Sequence, residues 1–178
     1  RIAVVTGDIA GYGELLREEC RKAGVPVFLD SKRNMFHNPC IAFIRAVLHN
    51  SLSGFSYESV FRYLKSGLTE YAPEEVAVLE NYCLGCGIRG ERMWKGEWKY
   101  RYRTGQTVDL TYLNGLRERI YGELSEIGRV LAEGKTAGER TRALYAFLER
   151  LSVEEKLRGM EADFLEKNDL VRAAEYRQ

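Results

Sequence analysis

Ile2-Ala-Val-Val-Thr6, the break Gly7-Asp8, the turn Ala23-Gly-Val-Pro26, the triplet Val27-Phe-Leu29 and the run Asn38-Pro-Cys-Ile-Ala-Phe-Ile-Arg-Ala-Val-Leu48 decide how this chain is read. The first run is short, continuous and β-branched, the pattern of a strand buried on both faces of a parallel sheet. Between the break and the turn, Leu15, Leu16 and Cys20 fall near one face of a helix over residues 12–22, and Gly24 stands where a helix closes with φ > 0. Val27-Phe-Leu29 reads as a second strand, and Asn38-Pro39 opens a further helix with proline in its first turn. Strand, helix, strand predicts a right-handed parallel βαβ crossover. Two strands with so little cover do not hold a sheet alone. Residues 1–50 are therefore expected to be the α/β start of a larger lobe, and the chain to be an excised piece of a longer protein.

From about Ser51 the αβ alternation stops and helix punctuation takes over. Ser56 precedes a helix ended by Gly67, and Pro73-Glu-Glu75 starts another, with acids favourable to its dipole, that runs to about Cys86. Leu113, Leu116, Ile120, Leu124, Ile127 and Leu131 recur at three- and four-residue steps, which predicts a long helix over about 110–132 with one wide apolar face. Thr136-Ala-Gly-Glu139 and Ser152-Val-Glu-Glu155 both have the capping-box pattern. The helices they start have Leu144, Phe147, Leu148 and Leu151, then Leu157, Met160 and Leu165, on their apolar faces, and a last helix is expected near Asp169–Tyr176. The expected fold is mainly α: a short N-terminal parallel βαβ piece over 1–50, then a helical domain over 51–178 with one basic aromatic loop or hairpin.

Bulk chemistry narrows the function classes. Across 178 residues, 27 basic and 26 acidic side chains leave a net charge of +1, so any contact with nucleic acid has to come from a local patch. No apolar run approaches the ~20 residues that span a bilayer, and no signal-peptide pattern is present, so a cytoplasmic location is expected. Cys20 and Cys40 read as small core residues of helices. Cys83-Leu-Gly-Cys86 is a lone pair with no second pair to complete a zinc site, and reads as a reduced helix end.

Catalytic patterns are missing. Thr6-Gly-Asp-Ile-Ala-Gly-Tyr-Gly13 has glycines after an apolar run but lacks the P-loop spacing and its lysine, and Asp8 would repel a phosphate there. His37 and His49 have no supporting partners in the pattern, and the carboxylates are spread beside Lys and Arg as on solvated helix faces. No catalytic residue and no metal ligand is assigned.

Two segments have the chemistry to meet phosphates. Lys32, Arg33 and Asn34 follow the second apolar run at the edge where open α/β sheets bind ligands, although the plainer reading is a solvated loop. The second segment carries Arg92, Lys95, Lys99, Arg101 and Arg103, with Trp98, Tyr100 and Tyr102 alternating with the last three cations. An extended backbone would put rings on one face and cations on the other. That ribbon could meet DNA phosphates, fill a groove of its own protein, or form a subunit interface.

The strand-helix-strand with Leu15-Leu16, Cys20 and Ala23-Gly-Val-Pro26 resembles the start of the second RecA-like lobe in UvrD-type helicases. More specifically, Val4-Val-Thr-Gly-Asp8, Gly11-Tyr12, Phe28-Leu-Asp30, Lys32-Arg33, His37-Asn-Pro39, the run from Phe55 to Leu68, Glu80-Asn-Tyr82 and Gly87-Ile-Arg-Gly90 resemble the AddB family, which belongs to the bacterial ATP-dependent helicase/nucleases that resect double-strand breaks. The resemblance implies a lobe start over 1–50 and a helical accessory subdomain beyond it. It implies a parent with a helicase-like fold, no working ATPase motif set, a part in Chi recognition, an iron–sulfur cluster and a magnesium-dependent nuclease domain. This stretch has none of those nuclease carboxylates, and Cys83 and Cys86 do not match the cluster pattern, so no cofactor is expected within it. Thr6-Gly7 stands where active UvrD-type motors carry Tyr-Arg, which argues against an active motor. The implied role is a non-catalytic, DNA-guiding scaffold that touches DNA weakly through phosphates and contacts an AddA-like motor subunit in a heterodimer. The alternative is a protein-interaction domain for subunit assembly with no DNA contact.

Overall fold

A computed structural model describes residues 3–30, 38–100, 108–169, 173 and 176. It divides into two compact units, Arg1–Met35 and Phe36–Gln178.

The first unit is built on α1 (Ile9–Lys22), whose N-terminus is capped by Asp8 accepting from the Gly11 backbone N–H at 2.8 Å. Gly24 follows the helix in the left-handed region, at φ 69. Here the expected βαβ piece is corrected. Residues 3–6 and 25–30 carry no ladder pairing, and no strand occurs among the described residues. Val4, Val5 and Phe28 are 73%, 94% and 88% exposed, so these apolar runs have no sheet to cover them. A strand exists only through its neighbours' hydrogen bonds, and β-branched composition alone does not supply them. Leu29 does fold back, lying against α1 at Gly13.

All the regular secondary structure described in the second unit is helical. Asn38 accepts from the Ile41 N–H and Pro39 occupies the first turn, fixing the start of α2 (Pro39–Ser53). Ser56 caps α3 (Tyr57–Leu64) through the Ser59 N–H. At the head of α4 (Pro73–Cys86), the Glu75 carboxylate accepts from the Ala72 N–H. The short α5 (Glu91–Lys95) follows, then α6 (Leu110–Glu133), capped by Asp109. Its 24 residues span about 36 Å. Thr136 and Glu139 form the expected capping box of α7 (Ala137–Arg150), and α8 (Val153–Glu166) comes last. The Ser152 box does not form: Ser152 sits at φ 51 and makes no side-chain cap, because buried Leu151 and Val153 on either side pull the backbone through a tight corner. Of the last expected helix, positions 169, 173 and 176 lie within the described residues.

α6 is the spine. The predicted stripe from Leu113 to Leu131 is buried along its whole length, with α2, α5 and α7 packed on it. Phe43 of α2 stacks between Tyr63 of α3 and Phe147 of α7, at ring separations of 5.2 and 6.4 Å. α8 is tied to the turn after α3: Lys156 Nζ donates to the carbonyls of Leu68 and Thr69, each at 3.2 Å. The Met160 methyl group covers Gly67, which lies at φ 74. No described helix is long and apolar enough to cross a membrane.

Candidate nucleic-acid interface

The stretch from Gly90 to Tyr100 is held by its two tryptophans. Gly90, at φ 82, donates its N–H to the Phe55 carbonyl at 2.9 Å, which sets where the chain leaves α4. Only glycine takes that φ without strain. Phe55 itself is at φ 62, a costly conformation for an aromatic residue, over-determined here by its ring packing on Trp94 and Tyr121. Trp94 and Trp98 are each 1% exposed and meet edge to face at 5.2 Å, with Tyr82 stacked on the far side of Trp98. The Trp98 indole N–H donates to the Met93 carbonyl at 2.8 Å, so the buried ring leaves no polar atom unpaired.

Two polar side chains of α6 lock this stretch in register. Asn114 behaves like a strand partner: its Oδ1 accepts from the Trp98 N–H and its Nδ2 donates to the Trp98 carbonyl, both at 2.9 Å. Three residues on, Arg117 is 4% exposed, and its Nη1 donates to the carbonyls of Trp94 at 2.9 Å and Lys95 at 3.2 Å. Those are orphan carbonyls at the C-terminal end of α5, where a cation is favoured. Arg117 Nε donates to Asn114 Oδ1 at 3.0 Å and Nη2 pairs with Glu118 at 2.8 Å, so each nitrogen of the buried guanidinium has a partner. Sequence reasoning missed both residues. The available signal was a polar pair at i, i+3 set into the apolar stripe beside Leu113, Leu116 and Ile120.

The consequence lies on the outside. With Trp94 and Trp98 turned inward, Arg92, Lys95 and Lys99 are exposed. Lys99 Nζ lies 3.0 Å from Glu97 in a solvated pair, which holds it weakly and leaves it available to another anion. Tyr82 donates its hydroxyl to the Tyr100 carbonyl at 2.9 Å, fixing the ribbon backbone at that residue. The Tyr100 ring is 52% exposed while Trp98 is buried, so these two rings do not share one environment. Of the other expected phosphate contacts, Lys32, Arg33, Asn34, Arg101 and Arg103 lie outside the described residues.

Other polar groups read as structural. Glu80 accepts from Lys65 Nζ and from the Tyr57 hydroxyl, both at 2.6 Å. These bonds, Lys65 first, hold its carboxyl below the usual carboxylate range, and the Glu80 bond is the main cause pushing the Tyr57 hydroxyl up to about 12. Tyr57 is therefore a fixed donor at neutral pH. Cys83 and Cys86 end α4 as expected; Cys83 is buried in the core, and burial is the main cause pushing its thiol up to about 12, far from a reactive thiolate. Among the described residues, no group of three or more His, Cys, Asp or Glu is placed to hold a metal ion.

No family model matches the chain. Curated relatives match it along 99% of its length. A protein of Lachnoclostridium phytofermentans, named as the AddB subunit of an ATP-dependent helicase/deoxyribonuclease, is 38% identical over 181 residues, and that match takes in 16% of the relative. Proteins of the same name from Clostridium tetani and Caldanaerobacter subterraneus subsp. tengcongensis are each 34% identical, again across 99% of this chain and 16% of the relative. The chain thus spans about one sixth of the length of the curated relatives it matches.

Proposed function

The chain belongs to the AddB family of ATP-dependent helicase/deoxyribonuclease subunits, matching a stretch of about 16% of their length, and on that footing we propose that it is a non-catalytic scaffold that guides DNA within such a protein. Its place would be in the resection of double-strand breaks for recombinational repair, in the cytoplasm, with an AddA-like motor subunit as its partner. It would carry no cofactor of its own, leaving the cluster and magnesium chemistry to the nuclease region of the parent.

The observation that supports this reading is the pinned ribbon. Trp94 and Trp98 anchor it, Asn114 and Arg117 clamp it, and Arg92, Lys95 and Lys99 are left facing solvent on a rigid base. Cations held in register against a spine helix suit phosphate positioning without base readout. The contact would be weak and salt-sensitive, since each neutralised phosphate regains counterions on release.

The test is fluorescence anisotropy of labelled duplex and single-stranded oligonucleotides titrated with this chain over a range of salt. Replacing Arg92, Lys95 and Lys99 together by Ala is expected to weaken binding and to flatten the salt slope by about 0.9 per lost contact on duplex. A second variant adding Arg101→Ala and Arg103→Ala extends the ribbon tested. No binding at low salt, or an unchanged slope in both variants, refutes the DNA reading and leaves assembly with a partner protein as the role of this stretch.

A further inference from the structure

α2 and α7 both pack on α6. Phe43 and Phe147 close the gap with stacked rings 6.4 Å apart. Toward the C-terminal half of α2 the two helices part, opening a wedge of about 680 Å³ floored by α6. Its apolar walls are Leu48 and Leu52 of α2, Leu131 of α6 and Leu144 of α7. Leu52 is 87% and Leu48 39% exposed.

The charged groups of the wedge have one sign. Lys135 and Arg140 line its mouth, and no carboxylate lines it among the described residues. Its hydroxyls are turned back on their own helices: Ser51 Oγ donates to the Val47 carbonyl at 3.1 Å and Thr141 Oγ1 to the Ala137 carbonyl at 2.9 Å. Arg140 Nε caps the Gly134 carbonyl at 2.9 Å, which holds the guanidinium at the rim. An incoming segment therefore meets leucines inside and cations at the edge. All three walls are helical, so an extended peptide would find no unpaired strand edge, whereas a helix satisfies its own backbone and offers only side chains.

We propose that this wedge receives an acidic amphipathic helix of a partner polypeptide, its apolar anchors seated on Leu48, Leu52, Leu131 and Leu144 and its carboxylates on Lys135 and Arg140. The occupant is defined by charge complementarity: the lining holds two cations and no carboxylate among the described residues, and the nearby Glu139 carboxylate is engaged by the Lys135 and Thr136 N–H groups, so an acidic helix is favoured over a basic one. The proposal is independent of the DNA reading, because the wedge shares no residue with the ribbon.

The test uses a labelled synthetic helix of about 18 residues, five turns, with Leu at i, i+3, i+4 and i+7 spacing and Glu on the flanks. Two controls accompany it: the same peptide with Lys for Glu, and one with its leucines scrambled. Anisotropy titration against this chain is expected to show saturable binding of the Glu peptide only, stronger at low salt. Leu52→Glu is expected to weaken it by at least about tenfold, or about 1.4 kcal/mol. Because Leu52 is exposed, that variant keeps its thermal midpoint. Lys135→Glu is expected to weaken the Glu peptide and favour the Lys peptide, a reversal that general damage cannot produce. Equal binding of the controls, or binding indifferent to Leu52→Glu, overturns the proposal. Concentration-dependent self-association abolished by Leu52→Glu in sedimentation overturns it too, by giving the wedge to a second copy of this chain.

Discussion

Replacing Arg117 by Met removes the clamp that seats the basic ribbon on α6 while keeping most of the side-chain volume. The loss has opposing parts. Hydrogen bonds to a charged donor contribute about 1.5–3 kcal/mol each, and the guanidinium serves the carbonyls of Trp94 and Lys95 as well as Asn114. Against this, the variant no longer desolvates a cation, a penalty of several kcal/mol in buried sites. The Glu118 bond adds little, since that carboxylate is 71% exposed. The decisive term is what remains: two carbonyls at the end of α5 without their donor, at about 1–3 kcal/mol apiece when water cannot reach them. The expected net destabilisation is about 2–4 kcal/mol. Arg117→Lys should fall between parent and Met, because an ammonium keeps the charge but loses the planar fork. The chain has two tryptophans, and both are in the ribbon. Indole emission therefore reports on this clamp alone, and should shift to the red in the Met variant ahead of the helical circular dichroism in a urea titration. A Met variant within about 0.5 kcal/mol of the parent, with unshifted emission, would refute the idea that Arg117 holds the ribbon.

Glu80→Gln tests the Tyr57–Glu80–Lys65 knot by its pH dependence. A carboxyl whose folded pKa lies below its ordinary 4.5 contributes stability that is present above that value and is lost as pH falls through the folded pKa. The variant should thus be less stable than the parent at neutral pH, and urea midpoints should converge well below pH 4.5; a constant gap would argue against the ion-pair account. Lys156→Met should cost about 1 kcal/mol by freeing the Leu68 and Thr69 carbonyls, and should raise hydrogen exchange in α8 before the rest of the unit. Gly67→Ala should cost about the ~1 kcal/mol of a strained glycine site, set by φ 74 rather than by the Met160 Cε 2.8 Å from the new methyl group, which a flexible side chain can move aside; Met160→Ala in the same background should therefore recover little of the loss in thermal melts.

Helix starts were legible because their chemistry is local. Asn38-Pro39, Ser56, Pro73-Glu-Glu75 and Thr136 with Glu139 each satisfy backbone groups within three residues, so the order of residues is enough to set where α2, α3, α4 and α7 begin. The α6 stripe was equally plain, since a long 3.6-residue period has one reading. The resemblance to AddB was carried by residues spread over the first ninety positions, and it held along 99% of the chain.

Packing between distant segments governs the rest. Residues 3–6 and 25–30 have strand composition, but no described neighbour supplies a ladder, and Val4 and Val5 stay in water. Ser152 has a capping-box sequence, yet burial of Leu151 and Val153 overrides a local bond with a tight corner. In the ribbon, the cations and the alternating rings can be read from the sequence, but the clamp joins Trp94 and Trp98 to α6 residues 16 to 23 positions later. No local pattern encodes that pairing, because a hydrogen bond between segments depends on the packing that brings them together.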